Sequence, residues 1–158
     1  MKNYRLAVDE NGSPFVLNSK GSIDFGYITE EMNLTPAPIR ISEGFSGPKG
    51  YGLKHISEGH EKEILNSGYK SVYEFIEDVA KNFTEIKEGR DGSYLLEMGD
   101  VHHNTLFIAL SKVCEYWKII SGGIFRIKYS KNKKIIHSAS EVPTSSPAED
   151  DPLPFEEG

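Results

Sequence analysis

The sequence predicts an α+β domain, with two N-terminal-side helices packed on a four- to five-stranded antiparallel sheet. Three observations predict it. Apolar residues between Leu53 and Phe83 recur at helical spacing. After Glu88 the period falls to about two. The short apolar runs there are separated by turn-like segments.

Tyr4 to Val8 and Phe15 to Leu17 read as short strands around the turn DENGSP. Ile23 to Ser42 is less regular, and TPAPIRIS, with its two prolines, is expected to run extended across the surface. GFSGPKGYG, from Gly44, is a loop with four glycines and a proline. It matches no phosphate-loop pattern; it is either a connector or a source of backbone amides for a phosphate at the next helix.

Leu53 to Asn66 reads as the first helix, with Leu53, Ile56, His60 and Ile64 on one stripe. Ser71 and Glu74 form a capping box that opens the second, which runs to about Phe83 and buries Val72, Phe75, Ile76, Val79 and Phe83. The strand candidates are Tyr94–Met98, Thr105–Leu110, Tyr116–Ser121, Ile124–Tyr129 and Lys134–Ser138. The intervening GDVHHN, SKVCE, GG and SKNK read as turns.

At 158 residues the chain suits one domain with a tail. The expected organisation is an extended or short-strand segment at 1–43, the α+β domain at 44–140 and an acidic, Pro/Ser-rich disordered tail at 141–158. That tail holds six acidic residues and no Lys or Arg. Of the 24 acidic residues, 18 therefore remain in the body against 18 basic ones, so the net charge of −6 belongs to the tail. No stretch is apolar enough to span a membrane, and MKNYRLAVDE turns acidic before a signal-peptide core can form. The single cysteine, Cys114, fits a reducing cytoplasm and is assigned no role.

His60 lies between Ile56 and Ile64 on the apolar stripe. It is either a core histidine satisfied by a carbonyl or an acid/base group where helix meets sheet. His55 points roughly the other way, beside Lys54. His102 and His103 are adjacent, and neighbours on a strand face opposite ways, so the pair is a poor metal site; no metal or other cofactor is expected. Arg126, Lys128, Lys131, Lys133 and Lys134 crowd into nine residues with Phe125 and Tyr129 among them. This is either an edge strand guarded by lysines or a phosphate-contacting strand with a stacking tyrosine.

GYGLKHISEGHEKEI, GYKSVYEFIEDVAKNFTEI and NTLFIALSKVCEYWKIISGGIFRIKYSK together resemble a group of phage- and mobile-element-borne domains of gut bacteria. That group is assigned to the barnase–EndoU–colicin–RelE-like nucleases. IDFGYITEEMNLTPAPIRISEG is similar to the segment that leads into such domains, so the likeness spans about residues 23–140. It implies a toxin-like or phage-borne, metal-independent endoribonuclease acting by 2′-hydroxyl transesterification. It also implies catalytic roles for His55, His60 and Arg126, and substrate contacts from Lys54, Ser121, Lys128 and Tyr129. RNA is the implied partner, with an immunity or host protein as another. The alternative is a non-catalytic protein-interaction module of a phage or mobile element on the same fold.

Overall fold

A computed structural model describes residues 4–113 and 115–139. Cys114 and the acidic tail lie outside them. The elements run β1 (Leu6–Val8), β2 (Pro14–Val16), β3 (Gly26–Ile28), β4 (Ala37–Arg40), α1 (Gly52–Asn66), α2 (Val72–Asn82), β5 (Glu85–Glu88), β6 (Ser93–Met98), β7 (His102–Leu110), β8 (Trp117–Arg126) and β9 (Ile135–Ser138). The architecture is α+β with two α-helices. The main sheet has seven strands in the order β3-β4-β8-β7-β6-β5-β9, which corrects the expected four or five. It is antiparallel except where β4 runs parallel to β8.

Three elements account for the larger sheet. TPAPIRIS is extended as expected, but β4 hydrogen-bonds to the start of β8 and carries β3 on its outer side, so the segment before Gly44 adds two strands. Glu85–Glu88 pairs with both β6 and β9. The runs expected as two strands around Gly122-Gly123 are one ten-residue strand, β8, which ends at Arg126; Ile127–Tyr129 is a 3-10 turn. The glycines are there for clearance, not for a turn. A Cβ on Gly122 would stand 2.8 Å from the Leu106 side chain, and one on Gly123 would stand 2.7 Å from the His60 ring.

β1 and β2 form a separate ribbon held to the body by Arg40. The Arg40 guanidinium reaches Asp24 at 2.6 Å and lies over both rings of the edge-on Phe15–Tyr116 pair, at 5.6 and 5.5 Å. α1 begins at Gly52, whose φ of +83° suits glycine. The Leu53 and Lys54 amides donate to the Ser42 and Glu43 carbonyls. These amides at the start of α1 are therefore bonded to the backbone just before the glycine loop, and the phosphate-cradle alternative loses those two donors. α2 starts as expected: Ser71 Oγ accepts from the Glu74 amide, a cap that contributes about 1 kcal/mol. Glu74 reaches back one residue further than a standard box, to the Lys70 amide.

One face of the sheet packs Ile86, Leu96, Leu106 and Ile108 against Ile56, Phe75, Ile76 and Val79 of the helices; this is the core. Two tyrosines on the helix side hold carboxylates. Tyr69 donates to Asp78 at 2.5 Å, and Tyr4 to Glu43 at 2.6 Å. Burial, then the hydrogen bond to a carboxylate, pushes each phenol up to about 12. In the unfolded chain both ionise near the ordinary value of 10. Their stabilisation is therefore complete below pH 10 and is lost as pH rises from about 10 to about 12. Alkaline titration followed by phenolate absorbance should show Tyr4 and Tyr69 among the late tyrosines, ionising together with unfolding; burial pushes Tyr73 up as well. Ionisation of all eight tyrosines near pH 10 in a folded protein would contradict this.

Candidate functional site

The site begins at an exposed edge. β4 pairs with β8 only at Trp117 and Lys118, so beyond Lys118 the outer edge of β8 has no strand beside it among the described residues. α1 occupies that edge. Ile56, His60 and Glu63, at helical positions i, i+4 and i+7, meet Gly122, Gly123 and Ile124 in turn. Ile56 approaches Gly122, and the His60 ring lies over Gly123. Glu63 Oε2 accepts the Ile124 amide at 2.8 Å, supplying the acceptor a strand would have given. The same Oε2 lies 3.1 Å from His60 Nδ1. A carboxylate rather than a backbone carbonyl thus lies beside His60 Nδ1, without hydrogen-bond geometry, and the His60 side chain keeps 28% exposure.

From this edge His60 reaches the second face of the sheet, the one the helices leave uncovered. Register places Lys87, Leu95, Phe107 and Ser121 there in one row, and Glu85, Glu97, Thr105, Gly123 in the next. Phe125 opposes His103. The His60 and Phe125 rings are 5.9 Å apart; Phe125 also meets Phe107 edge-on at 5.7 Å and stacks on Tyr129 at 4.7 Å.

A strap, residues 127–134, crosses the same face. β8 and β9 lie four strand spacings apart, about 19 Å, and the strap's residues can cover about 28 Å fully extended. Ser130, fully buried, fixes its path: Lys87 Nζ donates to Ser130 Oγ at 3.1 Å, and that oxygen lies 3.5 Å from His103 Nδ1. Beneath it, Glu97 Oε1 stands 3.1 Å from Lys87 Nζ and 3.3 Å from His103 Nδ1. Glu97 is 2% and Lys87 6% exposed. Glu85 adds a second carboxylate 3.8 Å from Lys87.

The residues marked out by sequence divide on this geometry. His60, Tyr129 and Ser121 belong to the second face or its rim. Arg126 is exposed at the end of β8, opposite His102, and Lys128 is exposed in the 3-10 turn. His55 and Lys54 are inside α1, so there is no non-helical lead-in, and five residues of helix turn His55 about 140° from His60. One helix does not bring both imidazoles to one bond. His55 Nδ1, like His60 Nδ1, is buried without a hydrogen-bond partner.

Sequence reasoning passed over Glu63, Lys87, Glu97, His103 and Ser130. One signal was present: adjacent histidines on a strand face opposite ways, so one of His102 and His103 had to face inward. Glu97, inside the apolar run YLLEM, was another. Nothing local links either to Lys87 or Ser130.

A cleft of about 670 Å³ between the end of α1, the start of α2 and the β6–β7 hairpin is a poorer place for an anion. Glu74 and Asp100 line it, and no Lys or Arg does.

Comparison of the chain with protein-family models, with curated proteins and with solved structures finds no match. No helix among the described residues is long and apolar enough to cross a membrane.

The buried ion cluster makes a quantitative demand. Lys87→Ala leaves Glu97 buried beside a single imidazole and should cost about 3–5 kcal/mol in chemical denaturation. Lys87→Met combined with Glu97→Leu removes both charges and should recover most of that loss. A single-variant cost below about 1 kcal/mol, the range of surface pairs, would mean that the cluster does not hold the strap.

Proposed function

We propose that the chain is a metal-independent endoribonuclease, toxin-like or phage-borne, that cleaves RNA by 2′-hydroxyl transesterification on the second face of its sheet. The observation that carries this reading is that His60 and His103, each beside its own carboxylate, both neighbour Phe125: the His60 ring lies 5.9 Å from its ring, and His103 is its cross-strand partner. Transesterification needs a base and an acid at one phosphodiester, and two imidazoles that neighbour the same ring suit that task. In this reading His60 takes the proton of the ribose 2′-hydroxyl, whose oxygen attacks the adjacent phosphorus. The bond to the 5′-oxygen breaks, His103 protonates that oxygen, and a cyclic phosphate remains. Glu63 and Glu97 orient the rings. Arg126 supplies positive charge to the phosphoryl oxygens, and the strap lysines draw in the polyanion.

His103 replaces His55 as the second imidazole, because helix geometry turns His55 away. Lys54 and Ser121 remain candidates for substrate contact, and an immunity or host protein that covers the second face is a candidate partner.

The burial of Lys87 and Glu97 favours a second reading, the non-catalytic interaction module. There the cluster only pins the strap, and the Glu63 carboxylate only closes the edge of β8.

Total cellular RNA incubated with the purified protein in EDTA separates the two. The nuclease reading expects new cyclic-phosphate ends. His60→Ala and His103→Ala should each lower their yield by about 10²- to 10⁴-fold, with circular dichroism unchanged. His55→Ala and His102→Ala should leave the rate as it was. Intact RNA alongside a folded protein, or undiminished cleavage by the His60→Ala, His103→Ala double variant, favours the interaction module.

A further inference from the structure

We propose that the outer face of Tyr129 is a nucleobase-stacking site, occupied in the free protein by the Lys133 ammonium, and that it makes the strap selective for single strands. The inference rests on the reading of the second face as an RNA-facing surface.

Tyr129 is 49% exposed although its ring is held in place. One face lies on Phe125 at 4.7 Å with the planes 20° apart, and Phe125 is itself braced edge-on by Phe107. Over the Tyr129 ring, 5.5 Å from its centroid, stands the Lys133 ammonium. A surface tyrosine left to solvent has no need of this support. A fixed ring with an open, cation-covered face is a preformed stacking platform.

The magnitudes favour exchange. An exposed cation–π contact contributes about 0.5–1 kcal/mol, whereas a base on an aromatic ring contributes about 1–3 kcal/mol. An arriving base therefore displaces the ammonium, which moves to the phosphate that comes with it. Arg126, Lys128, Lys131 and Lys134, all exposed, lie within five residues of Tyr129 along the chain and match a polyanion. Paired bases are stacked on each other and offer no free face, so a duplex gains only the electrostatic part. His60 stands 5.9 Å from the Phe125 ring on which Tyr129 stacks, so a nucleotide held at Tyr129 brings its neighbour toward the proposed scissile position.

Binding to 2′-deoxy strands tests this, because without the 2′-hydroxyl nothing can be cleaved. Fluorescence anisotropy with single-stranded oligothymidine, oligodeoxyadenosine and the duplex of the two should show tighter binding of either single strand. Tyr129→Ala should weaken single-strand binding by about 5- to 150-fold and leave duplex binding unchanged. Tyr129→Phe should retain it. Lys133→Gln should reduce the salt slope of binding by about one. Equal affinity for duplex and single strands, or single-strand affinity unaffected by Tyr129→Ala, overturns the proposal. Selective single-strand binding in a protein that leaves RNA intact upholds the stacking site and removes the catalytic reading. RNA cleavage with unselective binding does the reverse.

Discussion

The unpaired edge of β8 is the constraint on which the rest of this structure depends. A strand at the centre of a sheet normally has a neighbour on each side, but β4 leaves β8 after Lys118. The exposed backbone must find partners elsewhere. α1 supplies one through Glu63, and it comes close enough only because Gly122 and Gly123 carry no Cβ. A helix lying along an edge, rather than flat on one face, can deliver a side chain to either face. Ile56 goes to the core, and His60 goes round to the polar side.

The two faces then do different work. The helix face holds the apolar core and pays for the fold. The second face holds a buried ionic cluster that no core requires, and the same cluster anchors the strap. Burying Lys87 and Glu97 is stabilising only while both are present, so the strap depends on the pair. The strap's path is forced by topology, because β9 must reach the far edge beside β5 and the short way crosses the second face. Tyr129 is thereby placed on Phe125, next to His60, and Ser130 beside His103, without any dedicated element to position them.

What the sequence disclosed follows the range of the interactions involved. α1 and α2 were readable because their apolar spacing and the Ser71 cap are local. Gly122-Gly123 was misread as a turn because its cause, the close approach of Ile56, His60 and Leu106, lies far away in the chain. β5 escaped notice because EIKE shows a single apolar residue, and its inward lysine is tolerated only beside Glu97 and Ser130. The parallel pairing of β4 with β8 links residues almost eighty positions apart and leaves no local trace. The same holds at the site. His60 stood out on its stripe, whereas His103 gains meaning only once Glu97, Phe125 and Ser130 are folded around it.

The central claim is that one face of this sheet presents His60 and His103 to a single ligand. Nuclear magnetic resonance of the five imidazoles during titration with a 2′-deoxy dinucleotide monophosphate measures it directly. The rings of His60 and His103 should shift together along one saturable curve, while those of His55 and His102 stay where they are. Shifts at His55 without His60, or at only one of His60 and His103, would contradict the claim.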